Sequence, residues 1–202
     1  MRNIISSLLL AASLLLPAAL APTSAAAESA FARFIQGGQP RAQGGKFMSD
    51  NSPIARKTVS YDKSVPAGTI IIETSERRLY YTLGKGKAIK FAVGVGREGF
   101  EWSGTNRISR KAEWPGWTPP AEMRAREAKK GRILPVYQAG GPTNPLGARA
   151  MYIGGSIFRI HGTNQPWTLG HAMSSGCIRM ANNDVKFLYD KVGIGTKVIV
   201  RR

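Results

Sequence analysis

Apolar and polar residues follow no sustained period as far as about Pro66, and a strong one after it. Thr69 to Thr74 (Thr-Ile-Ile-Ile-Glu-Thr) and Arg78 to Leu83 are short runs of β-branched and aromatic residues, and Ser75-Glu76-Arg77 between them predicts a hairpin turn. Gly84-Lys85-Gly86 turns the chain into a third run, Ala88 to Val95. Three strands spaced about ten residues apart predict a meander in a sandwich or barrel rather than βαβ units. Arg107 to Trp114 reads as a further strand. Pro119-Pro120 ahead of Ala121-Glu122-Met123 predicts a short helix to Lys130, with the prolines where a helix tolerates them and Gly131 as its stop. Arg149 to Gly154 and Ser156 to His161 are predicted strands around a Gly-centred turn, which puts His161 at a strand's C-terminal end. Residues 162–176 hold little apolar content and predict a long loop, a feature uncommon in compact domains unless it covers or binds something. After a short apolar segment, Cys177 to Met180, Asn182 or Asn183 is the expected cap of a helix from Asp184 to Lys191, and Thr196 to Arg201 closes the pattern as a strand.

The segments ahead of this pattern are of two kinds. Residues 1–27 have the form of a signal peptide: basic Arg2, an apolar run from Ile4 to Leu20, then Ala25-Ala26-Ala27 for cleavage. Pro17 and the small-residue end argue against a membrane anchor, which needs about 20 uninterrupted apolar residues. Residues 28–67, with Gly37-Gly38, Pro40, Gly44-Gly45 and Pro53, predict a flexible lead-in. The expected organisation is therefore a signal peptide at 1–27, a lead-in at 28–67 and one domain at 68–202. That domain is expected to be mainly β, a barrel-like sandwich with one or two short helices.

Charge and chemistry narrow the function. The 202-residue chain has a formal net charge of +17, which favours anionic polymers and surfaces. Export makes nucleic acid a poor partner and an anionic cell envelope a good one. Gly94-Val95-Gly96-Arg97-Glu98-Gly99 matches GxGxxG, but in a β-rich context with no helix after it this does not predict a dinucleotide site. Cys177 is the only cysteine, and His161 and His171 are the only histidines. Exported proteins usually pair their thiols in even numbers. An unpaired thiol near histidines is an arrangement suited to a nucleophile and its base, because the thiolate is the attacking species and an imidazole can take its proton. Both histidines are candidates; a strand end holds His161 more firmly than the loop holds His171. Gly176 allows a sharp turn before the thiol, where the N–H groups of Ser175, Gly176 and Cys177 can converge on an oxyanion. Arg179, on the same strand face as Cys177, is suited to bind a substrate carboxylate. One Cys and two His at these spacings match no compact zinc pattern, so neither metal nor cofactor is expected. Of Trp102, Trp114, Trp117 and Trp167, each flanked by turn residues or prolines, Trp167 in the long loop is the candidate for touching ligand.

Ile160-His161-Gly162-Thr163-Asn164 followed by Ser174-Ser175-Gly176-Cys177-Ile178-Arg179-Met180 resembles the signature of the bacterial L,D-transpeptidase catalytic domain, of the Gram-negative periplasmic branch. Asn144-Pro145-Leu146-Gly147 and Gly94-Val95-Gly96 also resemble that family. The resemblance implies a β-sandwich fold, Cys177 as nucleophile, His161 as its base, and an oxyanion hole from the amides around Ser175 to Cys177. It implies attack after the third residue, typically diaminopimelate, of a peptidoglycan tetrapeptide stem, with release of D-Ala. Transfer to an amine would follow, either on another stem to give a 3→3 cross-link or on a wall-anchored lipoprotein; water would make the enzyme a carboxypeptidase. It further implies acylation of Cys177 by carbapenems. Arg179, His171 and Trp167 are the substrate-binding candidates. Many members carry His two residues before the Cys, where this chain has Ser175, so a role for that side chain does not carry over. The alternative reading is a non-catalytic wall-binding protein of the same fold.

Overall fold

The computed structural model describes residues 49–100 and 102–202, all within the second of two compact units, Ala42–Arg202. The predicted signal peptide and the start of the lead-in lie outside the described residues. No helix among the described residues is long and apolar enough to cross a membrane.

The meander forms as the apolar pattern predicts. β2 (Ile70–Glu73), β3 (Arg78–Gly84) and β4 (Lys87–Ala92) pair antiparallel in sequence. β2 is apolar on both faces: Ile70 and Ile72 enter the main core, while Ile71 joins Tyr80 and Ala88 in a second cluster on the other side. A strand of this kind needs two covers. Residues 57–65 supply the second one. β1 (Lys57–Ser60) adds to the free edge of β4, Val59, Tyr61 and Val65 pack on the second cluster, and the Tyr61 and Tyr80 rings lie 4.9 Å apart. Residues 49–67 thus differ from the flexible lead-in expected there, because the outer face of Ile71 has to be covered.

The chain reaches its other half through β6 (Gly104–Glu113), a ten-residue strand with a register shift between Ile108 and Arg110. Its first part pairs with β11 (Lys197–Arg201), which continues into a parallel pairing with β2. Its second part pairs with β7 (Arg149–Ile153), followed by β8 (Arg159–His161) and β10 (Ile178–Arg179). A bulge bends its strand and increases the local twist, so one continuous sheet, in the order β1-β4-β3-β2-β11-β6-β7-β8-β10, turns back on itself. Ile70, Ile72, Leu79 and Phe91 from one half share a core with Met151, Ile153, Ile160 and Ile178 from the other. This is the mainly β sandwich that the pattern predicts.

Two short helices complete it. α1 (Ala121–Ala128) starts after Pro120 and buries only Glu127, which is held by Arg126, Lys130 and Arg132. α2 (Asn182–Lys191) puts Val185 and Leu188 into the core. Lys111 of β6 donates to the Tyr189 and Val192 carbonyls at 2.7 and 2.6 Å, placing a cation at the helix's negative end. Arg56 meets Asp184 in its first turn at 2.7 Å. Burial raises the Asp184 pKa and Arg56 pulls it back, so the lead-in segment supplies the counter-ion of a buried acid.

Several expected boundaries shift, among them three that bear on the site. The strand ending at His161 begins at Arg159 rather than Ser156, whose N–H and hydroxyl both bond the Ile153 carbonyl in a turn. Residues 162–176 contain a 3-10 turn (Pro166–Thr168) and β9 (Ala172–Ser174), which pairs with β5 (Val95–Gly96) as a small parallel ladder. Asn182 opens α2 without capping it, because its side chain is occupied elsewhere, accepting from Ala148 N at 2.9 Å and donating to Asp50 at 2.9 Å.

Candidate active site

Strand alternation sends Ile160, Met151, Ile153 and Ile178 into the core, and their neighbours to the opposite face. The registers arrange those neighbours in rows across the strands. Arg179 of β10 lies opposite His161 of β8, His161 opposite Ala150 of β7, and Ala150 opposite Ala112 of β6. The next row holds Arg159, Tyr152 and Arg110. Cys177, immediately before β10, ends this second row: its Sγ lies 3.9 Å from the Ile157 carbonyl, to which Arg159 Nη2 donates at 3.2 Å. Cys177 is thereby a diagonal neighbour of His161 on the adjacent strand, with Arg159 in its own row and Arg179 two residues on. The thiol is half-buried and unpaired.

The state of His161 follows from its surroundings. Its Nδ1 lies 2.6 Å from the Gly162 carbonyl. A carbonyl only accepts, so the hydrogen is assigned to Nδ1 and Nε2 is the nitrogen that can take a proton. Burial foremost, then the charges of Arg179 and Arg159, pushes the pKa down to about 3; the Gly162 and Leu146 carbonyls oppose the shift. The ring is therefore neutral at physiological pH. Burial also lowers the Arg179 pKa, and the charge of Cys177 raises it, which ties the guanidinium electrostatically to the sulfur.

The turn that presents the thiol is clamped from several directions. Ser174 Oγ donates to the Cys177 carbonyl at 2.6 Å and accepts from Gly176 N at 3.1 Å. Gly176 has φ +99°, and a Cβ there would sit 2.4 Å from the Phe158 ring; only glycine fits. Trp102 stacks on Phe158 at 4.8 Å and donates through Nε1 to the Gly176 carbonyl at 3.1 Å. The N–H of Gly176 is thus engaged, while those of Ser175 and Cys177 have no acceptor among the described residues. Gly94 brackets Arg179 with two backbone hydrogen bonds, of 2.9 and 3.0 Å. Gly96 serves a close backbone approach to the thiol turn, since a Cβ there would meet the Phe100 carbonyl at 2.4 Å and lie 3.2 Å from Gly176 Cα. Asn144 folds the neighbouring loop, with Nδ2 on the Gln138 and Ala139 carbonyls and Oδ1 receiving Leu146 N.

The structure thus gathers Cys177, His161 and Arg179 with the Ser175–Cys177 backbone. His171 contributes its carbonyl to Val95 N at 3.2 Å, while the residue itself is exposed. Trp167 stands 57% exposed. Among the described residues no cluster of His, Cys, Asp or Glu could hold a metal. Sequence reasoning missed Trp102 as a support for Gly176, 74 residues away, and missed Arg159. The strand period carried the only signal for Arg159, two residues before His161.

Residues 67–200 match the family model of YkuD, the L,D-transpeptidase catalytic domain. The chain belongs to the L,D-transpeptidase catalytic domain family. It is 41% identical over 134 residues to two Escherichia coli K12 proteins, the probable L,D-transpeptidases ErfK/SrfK and YbiS; the match covers 64% of this chain and 42% and 43% of theirs. The aligned part therefore spans about two-fifths of the length of these relatives. A structure of L,D-transpeptidase 3 from Mycobacterium tuberculosis, in complex with a faropenem-derived adduct, has a TM-score of 0.50 at 16% identity, covering 66% of this chain and 60% of that one, and supports the fold. Within the L,D-transpeptidase domain, Ser174 to Arg179 form the clamped turn, and His161-Gly162-Thr163 lie at the end of β8.

Proposed function

We propose that the protein is an exported peptidoglycan L,D-transpeptidase with Cys177 as nucleophile and His161 as its base. The observation that carries this reading is a neutral imidazole, tied through Nδ1 to the Gly162 carbonyl, on the strand beside the Cys177 turn. His161 Nε2 takes the Sγ proton as sulfur bonds to the carbonyl carbon of the third residue of a tetrapeptide stem. The N–H groups of Ser175 and Cys177 receive the oxyanion. The C–N bond breaks, and His161 returns the proton to the departing D-Ala amine. An acceptor amine then attacks the thioester, gives its proton to His161, and leaves the thiol restored. Arg179 stabilises the negative charge on sulfur as it attacks and again as the thioester collapses, before His161 returns the proton to Sγ, and this offsets the weak basicity of a buried imidazole. His171 and Trp167 belong to the segment over which the substrate lies. The net positive charge suits an anionic envelope.

The test is the purified protein with a tetrapeptide donor, read by mass spectrometry. The expected result is D-Ala release and a faropenem adduct on Cys177, both lost in Cys177→Ala. Undiminished release by Cys177→Ala overturns the mechanism. Binding to sacculi without release or adduct would instead establish the non-catalytic wall-binding alternative.

A further inference from the structure

The row that ends at Cys177 continues away from it as Arg159, Tyr152 and Arg110, on three adjacent strands. The two guanidinium carbons lie 5.5 and 3.6 Å from the centroid of the Tyr152 ring, which they share. Two cations on one aromatic ring repel each other, and such a pair ordinarily has an acid nearby. Here neither arginine has an ion pair with an acid among the described residues. Glu113 is engaged by Arg149, Glu127 by the cations around α1, Asp184 by Arg56, Asp50 by Lys186 and Glu73 by Arg201. Arg159 uses Nη2 for the Ile157 carbonyl, and its Nε is buried with no partner among the described residues. Most of its five donors are therefore unspent. The Arg159 charge reaches the site, since it acts on His161, and its Nη2 bonds the same carbonyl that faces Cys177 Sγ.

We infer that Arg159, backed by Arg110 on the far side of Tyr152, binds the free side-chain carboxylate of the donor residue whose carbonyl Cys177 attacks. The inference rests on the proposed function. A diaminopimelate acylated onto Cys177 through one carboxyl group has a second one on its side chain, and a planar guanidinium fork matches that group in a bidentate manner. This role is distinct from that of Arg179, which lies in the row of His161 and answers to the charge on sulfur. Arg159 discriminates among donors; Arg179 serves the nucleophile.

Two tetrapeptide donors test it, one with the diaminopimelate side-chain carboxyl free and one with it amidated. The wild-type protein is expected to prefer the free acid by about 10- to 100-fold in kcat/KM, the size of a charge-assisted pair. Arg159→Gln is expected to shrink that preference to about twofold, mainly through KM on the free acid. Arg159→Lys, which keeps the charge without the fork, falls between them, and Arg110→Gln has a smaller effect. Melting temperatures report whether each variant folds, and the lysine variant carries the test if the glutamine variant does not. D-Ala release that stays as selective in the variants as in the wild type overturns the inference alone. No D-Ala release from either donor by the wild type overturns the proposed function, and the inference with it.

Discussion

The two halves of the sheet use the same strand geometry to different ends. In the meander, β2 to β4, both faces of the central strand are covered by apolar side chains, and Glu73 is paired with Arg201 at 3.1 Å. In the other half, β7, β8 and β10 bury one face in the same core and present on the second an imidazole, with the thiol beside it, and the guanidiniums of Arg159 and Arg179, neither of which has an ion pair with an acid among the described residues. The first half satisfies itself; the second leaves charge and hydrogen-bonding capacity unspent. Local electrostatic imbalance of this kind marks where a ligand completes the structure.

Substitutions separate the halves most sharply where activity and stability part company. His161→Gln is expected to slow D-Ala release by about 10²- to 10⁴-fold, the usual worth of a general base, while the protein still melts cooperatively. Ile72→Ala in the meander reverses the pattern. Ile72 is fully buried, so its truncation should destabilise the protein by about 2–5 kcal/mol in denaturant titrations and leave turnover by the folded fraction unchanged. Equal losses of turnover from both would erase the distinction.

The pH dependence of stability tests the same contrast. The folded His161 has its pKa depressed from 6.5 to about 3, so below pH 6.5 the unfolded chain binds a proton that the folded chain refuses. Stability from this residue is complete above pH 6.5 and is lost as the pH falls towards 3. The loss is on the order of a few kcal/mol. His161→Gln should flatten that limb of the curve; an unchanged acid limb would mean that the imidazole is not held neutral by its site.

Smaller effects refine the picture. Trp102→Phe keeps an aromatic ring against Phe158 and removes the Nε1–H donated to Gly176. It should lower stability by about 1 kcal/mol and slow faropenem acylation of Cys177 several-fold, whereas the same stability loss introduced in the meander should leave acylation alone. Lys186→Ala breaks an exposed pair with Asp50 and should change stability by less than about 0.5 kcal/mol. A larger loss would show that the pair matters to the docking of the lead-in segment.

Much of this arrangement was legible in the chain itself. β-branched runs, glycine turns and proline stops determined the strands of the meander, the helix after Pro120 and the end of β8, because those signals act within a few residues. The lone thiol, the histidine at a strand end and the glycine before the cysteine were likewise readable as chemistry, and the motif resemblance separated His161 from His171. Asn182 was misread as a cap for a physical reason: its local sequence suits a cap, but Ala148 N and Asp50, distant in sequence, engage its amide first. Residues 57–65 carry too weak a period to reveal that they cover Ile71, a need that exists only once β2 is buried from the other side.

The sequence by itself therefore determined which residues are proposed to carry the chemistry and which local elements hold them. Only the tertiary structure decided the state and surroundings of those residues. Strand register set Arg179 beside His161 and Arg159 beside Cys177, and closure of the sheet buried the imidazole enough to keep it neutral. Register and burial depend on pairings between strands far apart in the chain, and no local signal encodes them.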